Sequence, residues 1–224
     1  MQLNVTSTKP TKGLLLFYFF LSIILNSIGN ALTVAINLGS ALWTAASVNL
    51  DHVLAVSLSL MMFVPSFLII IVNIIILKKV SLSRIIGNLV FLVPFSLLVG
   101  QFSTLLGNTG INNLAFPIRI ALDCLGVCLI SVAISLYQRV NWMLHPVDDL
   151  MQIVRFKYFK GNSVIAQLVV FTPPLIAIII SVIITHQIYA VNIGTIFALV
   201  FQGALVGIAD KYIFPSLKHQ NIDK

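Results

Sequence analysis

Six stretches of the chain stay apolar for long enough to cross a hydrocarbon core, which takes about 20 helical residues. They lie near Gly13–Leu38, Val53–Leu77, Ile85–Leu106, Leu114–Gln138, Val164–Thr185 and Val191–Ala209. In lipid every backbone N–H and C=O must find its partner within the protein, so each such stretch is expected to be a helix. The predicted fold class is therefore all-α: a polytopic membrane protein of six transmembrane helices in a single membrane domain spanning residues 1–224. Composition agrees. Of 224 residues 59% are hydrophobic and 8% charged, against about 25% charged in soluble domains. The six acidic residues are all Asp, too few to cover a water-facing surface.

Charge placement orients the spans. Lys78, Lys79 and Arg84 fall between the second and third, and Arg139, Arg155, Lys157 and Lys160 between the fourth and fifth. Lys211, Lys218 and Lys224 follow the sixth, whereas the connections 39–52, 107–113 and 186–190 hold no Lys or Arg. The positive-inside rule then predicts a multi-pass cell-membrane protein with both termini cytoplasmic. The net charge of +7 suits an anionic bilayer surface, and no nucleic-acid-binding motif accompanies it. Lys9 and Lys12 precede an apolar run that continues to Leu38, past the roughly 7–15 residues of a signal peptide's core. The segment reads as a retained first helix. Asn4-Val5-Thr6 fits a glycosylation acceptor, discounted because it falls on the predicted cytoplasmic side.

The spans repeat. Ala31–Leu38 (ALTVAINL) returns as Leu129–Leu136 (LISVAISL), an offset of 98 residues, and the stretch from Pro65 to Asn73 returns from Pro173 to Ser181, an offset of 108. Two copies, near 13–106 and 114–209, hold three spans each, and an odd number forces opposite orientations. The expected architecture is two inverted three-helix repeats, a plan that places binding sites where the copies meet. In the first span Ser22, Asn26, Asn30, Thr33 and Asn37 form one polar stripe. The fourth span carries Cys124, Cys128, Ser131 and Ser135 at the matching positions. Amides facing acyl chains are costly, so the stripes are expected to face inward. Two readings stay open: the stripes line a shared solute site through Asn26, Asn30, Thr33, Asn37, Ser131 and Ser135, or they glue helices together, with Gly29 and Gly126 permitting close approach.

Other polar and breaking residues carry weaker signals. Arg119 and Asp123 stand one turn apart near the outer end of the fourth span, spaced to pair and set helix depth or to serve an ion pathway. Asp148 and Asp149 sit in a basic loop, where they form surface pairs, cap a helix starting at Leu150, or act in gating. Pro65, Pro94 and Pro173-Pro174 interrupt spans and are expected to kink them. Asn73 and Ser181, equivalent in the repeat, suggest another interhelical contact. His52, His145, His186 and His219 all fall in expected loops or the tail. With no phosphate loop, no His-Glu-x-x-His and no nucleophile motif, no enzymatic activity, cofactor or metal is expected. Cys124 and Cys128 alone make neither a disulfide framework nor a metal cluster.

Three segments, taken with the six-span layout, resemble the bacterial YczE/YyaS/YitT membrane-protein family. Asn37-Leu38-Gly39 and Trp43 are similar to its Asn-Leu-Gly-x-x-Pro-Trp-Asp pattern, with Leu42 and Thr44 replacing the Pro and Asp. Pro146 to Met151 is similar to Gly-Pro-x-Asp-Gly-Leu-Met, with Asp149 replacing a Gly. Val191 to Thr195 is similar to Val-Gly-Ile-Gly-Thr, with Asn192 replacing a Gly. The resemblance implies an integral membrane protein and leaves its activity undefined. The function expected from the residues is transport or capture of a small solute, with a separate energising membrane subunit as a candidate partner. The alternative is a non-transporting scaffold or assembly factor.

Overall fold

The computed structural model describes residues 11–218. The Asn4 acceptor, Lys9, His219 and Lys224 lie outside the described residues. Within them the chain forms eight α-helices: α1 Lys12–Ile36, α2 Leu42–Leu54, α3 Leu58–Leu77, α4 Leu82–Asn108, α5 Phe116–Val140, α6 Pro146–Lys157, α7 Ser163–Thr185 and α8 Ile193–Tyr212. A 3₁₀ turn at Ile111–Asn113 joins α4 to α5. Six of the helices, all but α2 and α6, are long and apolar enough to cross a membrane. Their outward faces carry exposed Phe17, Phe20, Leu68, Ile75, Ile183 and Val200, the surface a lipid-embedded bundle presents.

Local sequence sets the ends. The Thr11 hydroxyl accepts from Leu14 N–H at the start of α1, and Ser57 does the same for Leu60 at α3. Asn192 and Thr195 form a reciprocal capping box at α8. Asn37 and Asn141 close α1 and α5 in the left-handed region, at φ 54° and 50°, a conformation asparagine tolerates.

Helices α2 and α6 correct the sequence reading. The connection 39–52 is mostly helix, and the second span starts at Leu58, because Ala55 turns left-handed (φ 52°) and Ser57 caps afresh. His52 lies on α2, not in a loop. In the second copy, α6 begins at Pro146 rather than Leu150, and Arg139 belongs to α5. Asn37 ends α1 and is exposed, so it leaves the inward stripe. Pro65, Pro94, Pro173 and Pro174 all lie inside continuous helices.

The order long, short, long, long occurs twice. The bounds of α1 recur in α5 and the start of α2 recurs in α6, each 104 residues on, so the match at 98 is six residues out of register with the elements. Packing repeats too: α1 on α4 matches α5 on α8, and α2 on α7 matches α3 on α6. The most extensive pairing between helices without a counterpart is that of α3 with α4; α7 and α8 do not pack along their length.

Helices α1 and α5 run antiparallel. Leu15, Tyr18 and Phe19 at the start of α1 share a core with Leu136, Tyr137 and Val140 at the end of α5. At the opposite face Arg119 of α5 donates to the Ile36 carbonyl that ends α1, at 2.7 Å. Phe214 packs tilted against Tyr18 with centroids 4.9 Å apart and Leu217 joins the same cluster, so both described ends of the chain meet on one face. The ends carrying Lys78, Arg84, Arg139 and Lys211 fall there as well.

The α1–α5 crossing is built on glycine. A Cβ placed on Gly29 would stand 2.7 Å from the Gly126 carbonyl oxygen and 2.8 Å from Ile130 Cγ1; one on Gly126 would stand 2.7 Å from Thr33 Cγ2. Backbone cannot swing away as a side-chain tip can, so the helices would have to part. Gly29→Ala is expected to destabilise the protein by about 2 kcal/mol, read as a lower melting midpoint in detergent. Gly207→Ala, with nothing within 4 Å, should leave the midpoint unchanged or raise it slightly.

Candidate functional site

Each long first helix is followed by a chain that doubles back into the bundle before its short helix begins. In the first copy the Leu38 carbonyl accepts from Gly194 N–H (2.8 Å), and Ser40 N–H donates to the Ala190 carbonyl (3.0 Å). In the second, Asn88 donates to the Leu144 carbonyl (2.8 Å) and Asn73 to the Pro146 carbonyl (3.1 Å). Amide side chains of α3 and α4 thus hold the second fold-back, and backbone at and before the start of α8 holds the first. Asn73 makes the interhelical contact expected of it, whereas Ser181 donates only within its own helix, to Ala177.

The two fold-backs deliver the starts of α2 and α6 to one central cavity of about 450 Å³. Helices α1, α3, α4, α5, α7 and α8 supply the rest of its wall. Asn26 and Asn30 line it from α1, Trp43, Thr44 and Ser47 from α2, Ser66 from α3, Tyr137 from α5, and His145 and Asp148 from the start of α6. The side of α7 and α8 adds Val170, Phe171, Leu199 and Val206 with Gln167 and Gln202. The cavity is therefore polar toward the fold-backs and mostly apolar, with two glutamines, toward α7 and α8.

A chain of hydrogen bonds fixes the polar end. Asn30 Nδ2 donates to Asn26 Oδ1 (2.9 Å), and Thr44 Oγ1 donates to Asn30 Oδ1 (2.5 Å), tying α2 to α1. At the other fold-back Tyr137 donates its phenolic proton to Asp148 Oδ2 at 2.6 Å. Val147 N–H donates to His145 Nδ1 (3.3 Å), which puts the proton of the neutral imidazole on Nε2. That atom is buried without a partner, as is Trp43 Nε1. The His145 ring sits edge-on to Phe91 and Phe95.

The expected site residues divide. Asn26 and Asn30 line the cavity as the stripe predicted. Thr33 does not: it is fully buried in the α1–α5 crossing, its hydroxyl donating to the Asn30 carbonyl. Ser131 donates to Val127 of its own helix, and Ser135 donates to Asp210 Oδ1 (2.7 Å) toward the end of α8. Asn37 offers only a backbone carbonyl to Arg119. Arg119 and Asp123 form no ion pair; the guanidinium turns to the carbonyl end of α1, where a cation meets the negative pole of the helix dipole. Asp123 is buried against Gly194, with Oδ1 unpartnered. Asp148 and Asp149 are not surface charges. Asp148 faces the cavity, and Asp149 is buried 3.6 Å from Arg84.

Burial governs the charges at the start of α6. It drives the His145 pKa down to about 3, and it raises Asp148 to about 6 against the opposing Tyr137 hydrogen bond, with Asp149 adding to the rise. Burial likewise raises Asp149, while Arg84 and Asn88 pull the other way.

Trp43, Thr44, Ser66, Tyr137 and His145 were missed as site residues. Trp43 figured only in a resembling motif and His145 only as a loop histidine, since the fold-backs that carry them inward have no periodicity to read. Over residues 14–211 the chain matches the family described as a family of unknown function (DUF6198), and it belongs to that family. No curated protein and no solved structure matches it.

The two titrations at the start of α6 oppose each other. His145, lowered from 6.5 to about 3, contributes stability above pH 6.5 that is lost as pH falls toward 3. Asp148, raised from 3.8 to about 6, contributes stability below pH 3.8 that is lost as pH rises through 6. Each variant unmasks the other group. The melting midpoint of Asp148→Asn should rise between pH 4 and 6.5, and that of His145→Gln should fall between pH 4 and 6. Parallel profiles for the two variants would refute these assignments.

Proposed function

We propose that this family member is a cell-membrane protein that takes a small solute into the central cavity, as a transporter or as the solute-binding subunit of one. Membership of the YczE/YyaS/YitT group, argued above from three motifs, belongs to the same proposal. The observation that carries it is the cavity itself, a space of ligand size walled by both copies, where repeat-built transporters hold their substrates. Helices that only needed to adhere would close such a space, because a void forfeits the contacts of its lining. The face gathering most of the basic residues is taken as cytoplasmic, placing both termini inside the cell. The site is read as binding and moving its solute, without catalysis, and a separate energising subunit is the partner such a chain would call on.

The scaffold reading draws on one observation: Asn73 and Asn88 spend their amide donors on backbone carbonyls of the second fold-back, which is adhesion. It leaves Asn26, Ser66 and Gln202 facing a space with nothing to adhere to.

Access from water tests the proposal. In a Cys124→Ala/Cys128→Ala background, Ser66→Cys should react with a small charged methanethiosulfonate in membrane vesicles. Phe20→Cys, on the lipid face, should not. Equal inertness of the two would count against a solute path, and reporter fusions placing the two ends on opposite sides would undo the topology.

A further inference from the structure

The starts of the two short helices are unlike in charge and in hydrogen bonding. Helix α6 answers its own N-terminal dipole: Pro146 has no N–H to satisfy, His145 accepts from Val147, and Asp148 and Asp149 occupy the first turn. Helix α2 has none of this. Its cap position is Ala41, no side chain bonds its first turn, and that turn holds no acid. The N–H groups of Leu42, Trp43 and Thr44 donate to no protein acceptor, although Leu42 and Thr44 are buried. A buried helix start without partners is costly, and its dipole leaves positive potential there. Ala41, Leu42, Trp43 and Thr44 all line the cavity.

Side chains beside that start point the same way. Asn26 is only 5% exposed and lines the cavity; its Oδ1 is taken by Asn30, while its Nδ2 donates to nothing in the protein. Trp43 Nε1 is buried and unpartnered. Ser66, 6% exposed, turns an unbonded hydroxyl to the same space. Donors on α1, α2 and α3 therefore line one cavity, and no Lys or Arg lines it to neutralise an anion by charge alone. Backbone N–H groups with neutral donors match a planar, singly charged carboxylate, and the apolar wall of Val170, Phe171, Leu199 and Val206 matches an organic remainder.

We propose that the start of α2, with Asn26 and Trp43, is the seat for a carboxylate, and that the solute is a small organic carboxylate. This rests on the reading of the cavity as a solute site and specifies its substrate class.

The test uses the full chain in detergent with three pairs of probes: propionate and propionamide, benzoate and benzamide, hydrocinnamate and its amide. In a Trp142→Phe background Trp43 is the only tryptophan, and its fluorescence reports the seat, with thermal shift as a second readout. At least one carboxylate should bind ten-fold or more tightly than its amide. Ala41→Asp gives α2 the capping carboxylate it lacks, so its melting midpoint should rise while carboxylate binding is lost. If Ala41→Asp does not fold, Asn26→Asp places a negative charge at the seat and should weaken the carboxylate ten-fold while sparing the amide. Amides binding as tightly as carboxylates, or Ala41→Asp binding carboxylate with unchanged affinity, would overturn the seat and leave the cavity reading intact. Silence from all six probes, together with inertness of Ser66→Cys to the charged thiol reagent, would overturn both.

Discussion

The antiparallel crossing of α1 and α5 is the contact on which the other helices are arranged. Two glycines let the backbones touch, with Gly29 against Gly126 and Thr33 filling the remaining space. Lipid tails are as apolar as leucine, so membrane helices gain little by merely hiding side chains from lipid, and close backbone approach with dense van der Waals contact takes over that role. Once these helices are crossed, α4 lies along α1 and α8 along α5. The short helices then have only the interior between them to enter.

Much of this architecture was legible because it rests on length and charge. Apolar runs of about 20 residues announce spans whatever their partners, and basic residues between alternate runs indicated which ends lie together. The stripe through Asn26 and Asn30 faced inward because amides in lipid are costly. What failed were inferences from register and from spacing. Arg119 and Asp123 are one turn apart, yet the guanidinium does better at the free carbonyls of α1 than beside its neighbour. Asn37 continued the stripe's periodicity until its backbone turned left-handed.

The fold-backs were invisible for a different reason. Helices of 12 and 13 residues are too short for a span, and their placement depends on amides from distant segments. Asn88 holding Leu144, and Asn49 pairing with the backbone of Tyr189 at 2.6 and 3.1 Å, are long-range contacts that no local pattern encodes. The cavity's polar end depends on them, so most of its lining came to light only in three dimensions.

Arg139 ties the order of synthesis to the finished structure. It is 1% exposed near the end of α5, and beyond its own helix it donates to the carbonyls of Asp210, Ile213, Phe214 and Leu217, with the Asp210 carboxylate 3.4 Å away. Every one of those acceptors is made more than seventy residues later. A nascent chain whose α5 has left the ribosome therefore carries a guanidinium with no lasting home in the bilayer, free only to reach back toward the headgroups. Assembly of the first five spans stays provisional until the last one arrives to receive it.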